Sequence, residues 1–240
     1  MPVSILIVDD HAIIREGLKA MFASLSNMLV VGEAENGRIA VEKADELRPD
    51  VIIMDISMPE LNGIEATGII CKSQPQIKII ILTMHHTSEH VYQAMLAGAR
   101  AYILKESAGS SIANAVHTVM RGKLYFGEGV EEPRQMNSST QKSPRSPFHT
   151  LSQREREIMQ LVVEGQSNRM IGEILQISPK SVETYRSRLM IKIGVSNLPS
   201  LVMYAIQHGM ITLKLITPPH LDQIDTPVVV VTLFHNYFYL

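Results

Sequence analysis

The apolar positions of this chain fall into two successive rhythms. From the start to about residue 121, short continuous apolar runs alternate with stretches whose apolar residues recur at intervals of three and four. Val3 to Val8 reads as a buried strand, Ile13, Ile14, Leu18, Met21, Phe22 and Leu25 recur at helical spacing, and Leu29 to Val31 begins the next strand. Asn36-Gly37 then opens a helix to Leu47, Val51 to Met54 is a third strand, and Ile64 to Lys72 is a helix stopped before Pro75. Ile77 to Leu82 and Ala101 to Leu104 are the fourth and fifth strands, with helices near Ser88 to Ala97 and Ser107 to Arg121. Strands that recur with helices between them require parallel pairing and crossover helices on both faces of a sheet. The pattern predicts an α/β domain over residues 1–125, a doubly wound five-stranded parallel sheet.

After that the rhythm changes. Residues 126–149 include EEPRQMNSSTQKSPRSPFHT, rich in Ser, Pro, Gln and charge, and are expected to be a flexible linker. Residues 150–212 show only helical spacing. Ser152 and Glu155 have the separation of a capping box, and their helix runs to Glu164 with Gly165 as its stop. Ser167-Asn168 caps a second helix through Leu175, Ser178-Pro179 opens a third to about Ile193, and a fourth spans Leu198 to Gln207. Two short helices joined by a tight turn, the second carrying Lys180, Arg186, Arg188 and Lys192, predict a small all-α helix-turn-helix domain. The tail, 213–240, ends in VVVVTLFHNYFYL; it is β-prone and uncharged, and an added strand, a dimer contact and disorder are all open for it.

Charge separates the two parts. The whole chain has 45% hydrophobic residues, 19% charged residues and a formal net charge of −2, but residues 1–125 carry 11 basic and 14 acidic side chains against 8 and 5 in 148–217. An acidic front and a basic back suit a cation or phosphate site in one domain and a polyanion surface in the other. The single cysteine, Cys71, excludes an internal disulfide framework, and no signal peptide precedes the first strand, so a cytoplasmic location without membrane attachment is expected. No apolar run reaches the roughly 18 residues of a membrane span.

The chemistry collects at the ends of the strands. Asp9 and Asp10 end the first, Asp55 the third, Thr83 the fourth and Lys105 the fifth. A doubly wound sheet brings such ends to one crevice, so three carboxylates, a hydroxyl and an ammonium share a small volume. Carboxylates that close raise one another's pKa unless a cation joins them, and Mg2+ is the natural partner for a few carboxylate oxygens. Each residue also has a plainer reading: Asp55 as a turn carboxylate, Asp9 or Asp10 as a helix cap before His11, Lys105 as a solvated loop lysine. His85, His86 and His90 match no standard zinc spacing.

These residues resemble the receiver domain of two-component response regulators, with IVDDH, MDISMPELNG, LTMH and AYILK in register over residues 3 to about 121. The resemblance implies that Asp55 takes a phosphoryl group from a sensor histidine kinase or a small phosphodonor, and that Asp9, Asp10, Asp55 and the Ser57 carbonyl hold Mg2+. It also implies that Lys105 neutralises a phosphoryl oxygen, that Thr83 moves to bind another, and that Tyr102 is an aromatic switch residue. His85 stands where the family tunes the lifetime of the phosphate. Lys105 is followed by Glu106 where the commonest receiver pattern has Pro, which leaves a cis peptide there unsupported.

The segment LSQREREIMQLVVEGQSNRMIGEILQISPKSVETYRSRLMIKIGV resembles the LuxR-type DNA-binding domain of the NarL/FixJ response regulators. By that resemblance Val182 and Leu189 face the core, Glu183, Thr184, Ser187 and Arg188 face the major groove of double-stranded DNA, and Lys180, Ser181 and Lys192 touch phosphates. Met170 stands where the family usually has an acid, so a helix-surface pair is expected to be missing. The implied protein is a phosphorylation-dependent transcription regulator, a homodimer when active on half-sites about 10 bp apart, with RNA polymerase as a further partner. It is no enzyme apart from phosphorylating and dephosphorylating itself. Two rival readings fit less of the chain. An aspartyl phosphatase resembling the haloacid dehalogenases needs an acid where Ser57 stands, and an FMN module needs a hydroxyl-rich phosphate loop where Asp9-Asp10 stand.

Overall fold

A computed structural model of the chain describes residues 2–133 and 150–207, in two compact units, Met1–Gln141 and Lys142–Leu240. Most of the expected linker and all of the tail at 213–240 lie outside the described residues.

The first unit alternates strand and helix throughout. Its elements are β1 (Val3–Val8), α1 (Ala12–Ala23), β2 (Met28–Ala34), α2 (Gly37–Leu47), β3 (Val51–Met54), α3 (Gly63–Ser73), β4 (Lys78–Thr83), α4 (Ser88–Ala97), β5 (Ala101–Leu104), α5 (Ala108–Met120) and β6 (Tyr125–Phe126). All strands are parallel in the order β2-β1-β3-β4-β5-β6. The sixth strand corrects the expectation of five: Tyr125 and Phe126 extend the sheet beside Ala101 and Tyr102. Two residues are too few for a period to show in sequence.

Strand alternation divides the core between the two faces of the sheet. Leu6, Val8, Ile52, Met54, Ile79 and Ile81 pack with Ala40 and Ala44 of α2, Ala66 and Ile70 of α3, and Val91 and Ala94 of α4. Ile5, Ile7, Val51, Ile53, Ile80 and Leu82 pack on the other side with Leu18 and Phe22 of α1 and Ile112, Val116 and Val119 of α5. Full burial of each such side chain contributes about 1.5–3 kcal/mol relative to exposure, so the strands are held from both sides. In α1 the apolar stripe is narrower than expected. Ile14 packs against the core with Leu18, Met21, Phe22 and Leu25, while Ile13, rotated by one residue, is 81% exposed.

Local chemistry starts and stops the helices. The Asn36 side chain accepts the Ile39 N–H and the Asn62 side chain accepts the Glu65 N–H, each satisfying one donor of a first turn. For α1 the N-cap residue is His11, without a side-chain cap, so neither Asp9 nor Asp10 occupies the N-cap position. Asp9 instead accepts the His11 N–H at 2.9 Å, which turns its carboxylate back over the end of β1.

The second unit contains α6 (Gln153–Val163), α7 (Asn168–Leu175), α8 (Pro179–Ile193) and α9 (Leu198–Gln207). The capping box closes as expected: the Ser152 N–H donates to Glu155 at 2.7 Å and the Glu155 N–H to Ser152 at 3.3 Å. Ser167 caps α7, and Ser178 caps α8 with Pro179 in its first turn. Ile158, Leu161, Ile171, Leu175, Val182, Leu189, Leu201 and Ala205 form one core shared by all four helices.

Candidate functional site

The strand order reverses direction between β1 and β3, and the crevice of such a sheet lies at the carboxyl ends of these strands. Asp9 follows β1, Asp55 follows β3 and Lys105 follows β5, and the three meet there. The Lys105 Nζ lies 2.7 Å from Asp9 Oδ2 and 2.8 Å from Asp55 Oδ2. Asp55 Oδ1 accepts the Ile56 N–H at 2.7 Å. Asp9 and Asp55 are only 2% and 3% exposed, so the cluster sits in a low-dielectric pocket where charge interactions are strong. Gly63 is required beside it, because a Cβ there would overlap the Asp55 carbonyl. The backbone approach that demands this glycine spans eight positions and has no signature in composition.

Burial raises the Asp55 carboxyl above the usual carboxylate range; Lys105 opposes this and Asp9 adds to it. Burial works against the charge on Lys105, but the Asp55 and Asp9 carboxylates outweigh it and hold the ammonium above its ordinary value. Asp9, Asp10, His11 and Asp55 each bring one possible ligand atom within 4.8 Å of the others. Three carboxylates in this arrangement form a hard oxygen set typical of Mg2+ sites. His11 Nδ1 lies 2.7 Å from Asp10 Oδ1 and 3.2 Å from Asp9 Oδ1, so the histidine closes the outer side of the cluster.

His85 is the part that sequence reading left least developed. Thr83 is wholly buried, and its hydroxyl accepts the His85 N–H at 3.3 Å. Tyr102 is also wholly buried, and its hydroxyl donates to the His85 carbonyl at 2.8 Å. The two expected switch residues therefore grip the backbone of one residue, His85, at its N–H and at its carbonyl. The His85 ring hydrogen-bonds Ser57 Oγ at 2.6 Å and stacks on His90 of α4 with centroids 4.5 Å apart. Burial, with His90 and His86 nearby, pushes the His85 pKa down to about 4, so the ring is neutral at physiological pH. Burial raises the Tyr102 hydroxyl well above its normal value, and the Asp55 charge adds to that shift. The Lys105–Ser107 segment forms a single tight 3-10 turn, and the described residues contain no cis peptide bond.

In the second unit α8 has two faces. Val182 and Leu189 are fully buried, as expected. Lys180, Glu183, Thr184, Ser187 and Arg188 are exposed, and Ser181 is half-buried beside the Ser178 cap. Two of the four basic side chains are tied inward: Arg186 hydrogen-bonds Asn168 of α7 at 2.5 Å, and Lys192 pairs with Glu155 of α6 at 2.7 Å. Burial works to raise the Glu155 carboxyl, but Lys192 and the Ser152 cap bring it below its usual range. Met170 stands exposed on α7, and its neighbour Arg169 bonds Glu173 at 3.1 Å.

Residues 5–117 match the response regulator receiver domain, and residues 149–205 match the luxR family of bacterial regulatory proteins. The chain is 36% identical over 227 residues to the transcriptional regulatory protein DegU of Brevibacillus brevis, covering 88% of this chain and 96% of that one. It is 38% identical over 213 residues to the response regulator protein VraR of Staphylococcus epidermidis, covering 88% of this chain and 100% of the relative. A structure of the Salmonella typhimurium RcsB response regulator superposes with a TM-score of 0.58 at 25% identity, over 86% of this chain and 98% of that one. An RcsB–DNA complex gives 0.53 at 25% identity, over 88% and 100%. The chain belongs to the LuxR-type two-component response regulators: a receiver domain followed by a DNA-binding helix-turn-helix domain, the architecture of a transcription regulator. Among the described residues no single helix is long and apolar enough to cross a membrane.

Proposed function

We propose that this regulator is switched by phosphorylation of Asp55. An Asp55 carboxylate oxygen attacks the phosphorus of a phosphohistidine on a sensor kinase, or of a small acyl phosphate. The bond from phosphorus to the donor breaks, and the imidazole or acyl group leaves with the electron pair. The observation that supports this most is the convergence of Asp9, Asp55 and Lys105 from three strand ends within 2.8 Å contacts. Asp9, Asp10 and Asp55, with the Ser57 carbonyl, would hold Mg2+, which when bound neutralises the crowded carboxylates and a phosphoryl oxygen. Lys105 is placed to neutralise a second oxygen, and a group on Asp55 competes for the Thr83 hydroxyl.

The switch then follows from the grip on His85. When Thr83 turns to a phosphoryl oxygen it gives up the His85 N–H, while Tyr102 keeps its hold on the carbonyl from a buried position. That bias shifts the population of the loop and α4 between two arrangements, and so frees or dimerises the DNA-binding domain. Glu183, Thr184, Ser187 and Arg188 meet base edges in the major groove, while Lys180 and Ser181 meet phosphates and Lys192, expected to do the same, stays on Glu155. The active form is a homodimer in the cytoplasm, and RNA polymerase is its further partner. The test is DNA affinity by fluorescence anisotropy with and without acetyl phosphate and Mg2+. Tighter binding with the donor is expected; identical curves would contradict the switch.

A further inference from the structure

The exposed face of α8 carries one large aliphatic side chain that can neither pair with a phosphate nor hydrogen-bond a base. Ile191 is 80% exposed, second only to Ile13 among the large exposed apolar residues of the described chain. Successive residues of an α-helix turn by about 100°, so Lys180, Thr184, Ser187 and Ile191 fall on one line along α8. Glu183 and Arg188 flank this line, and the buried Val182 and Leu189 lie opposite it. Ile191 thus lies in line with the face assigned to DNA, one turn beyond Ser187 and two residues before the end of α8. The neighbouring positions do not cover it: Lys192 turns away to Glu155, and Met190 and Ile193 pack toward the core.

We infer that Ile191 reads the 5-methyl group of a thymine in the major groove. An aliphatic side chain can form no hydrogen bond with a base edge, and the apolar group that a base pair offers in that groove is the thymine methyl. Four residues of helix advance about 6 Å, so the thymine lies about two base pairs beyond the step met by Ser187. Burying the methyl against Ile191 sheds exposed apolar surface on both partners, worth about fourfold in affinity for one buried carbon. The inference rests on the proposed DNA face and adds one base preference to it.

The test begins with selection from randomised DNA duplexes by the full chain, loaded with acetyl phosphate and Mg2+, for the natural sequence and for Ile191→Ala and Ile191→Val. The natural chain is expected to enrich a flanking T·A pair that Ile191→Ala does not enrich and Ile191→Val partly retains. Replacing that thymine by uracil, which removes only the methyl, is expected to weaken the natural chain about fourfold and leave Ile191→Ala unchanged. Because Ile191 is exposed and Ala is the better helix former, the variant should melt no lower than the natural chain. If Ile191→Ala enriches the same thymine, or if uracil costs both chains equally, the inference falls while the DNA face stands. If the natural chain enriches no sequence, the reading of α8 as a base-contacting helix falls with it.

Discussion

In the receiver crevice Asp9 and Asp55 are almost wholly buried and Lys105 is partly buried, whereas on α8 Lys180, Glu183, Thr184, Ser187 and Arg188 all stand in solvent. On the proposed reading the first group handles a small anion, so its charges are brought together where water is scarce and each depends on the others. On the same reading the second meets a long polyanion, so its charges remain hydrated and nearly independent until DNA arrives. The difference governs how each region responds to change: substitutions in the crevice alter stability and pKa, and substitutions on α8 alter affinity and salt dependence.

The largest effect is expected where the buried charges lose their counter-ion. Lys105→Met leaves Asp9 and Asp55 buried without an ammonium, and should destabilise the receiver by about 3 kcal/mol in Mg2+-free buffer. Urea unfolding with and without Mg2+ checks this, with Mg2+ restoring part of the loss. Next is Leu189→Ala, which opens a cavity in the core of the second unit and should cost that unit about 3 kcal/mol while the receiver transition stays in place. A single merged loss across both transitions would break the separation between the two regions.

Smaller effects sharpen the comparison on α8. Lys180→Ala should lower the slope of log affinity against log salt by about one. Lys192→Ala should lower it by less, because Glu155 already neutralises that ammonium in the folded domain. Equal slopes would mean that Lys192 leaves Glu155 for a phosphate on binding. The smallest effect is a pH dependence in the receiver. The His85 pKa is lower folded than unfolded, so its contribution is full above the unfolded value near 6.5 and is lost as pH falls toward about 4. His85→Gln should flatten the decline of the receiver's thermal midpoint over that window; an unchanged profile would exclude His85 as its source.

How much of this was legible in sequence follows from the range of the interactions. The Asp9, Asp55, Thr83 and Lys105 positions were readable because each closes an apolar strand, and the doubly wound topology alone sends those ends to one crevice. The caps at Asn36, Ser152, Ser167 and Ser178 were readable because a cap acts over three residues. The His85 contacts were not, since Ser57 lies 28 positions away and Tyr102 17. The inward ties of Arg186 and Lys192 were hidden for the same reason, as their partners sit on other helices. Ile13 misled because it lies about 100° of helix rotation from Ile14, outside the stripe that Ile14, Leu18, Met21, Phe22 and Leu25 turn to the core.

The central claim is that Asp55 is the acceptor, and intact-mass measurement of the chain after acetyl phosphate and Mg2+ tests it most directly. Burial holds the Asp55 pKa above its unfolded value, so its contribution to stability is present below that value and lost as pH rises through the folded one. Asp55→Asn should therefore stay folded at neutral pH, which keeps the comparison clean. One phosphoryl group is expected on the natural chain and none on Asp55→Asn; a phosphoryl group on both would contradict Asp55 as the acceptor.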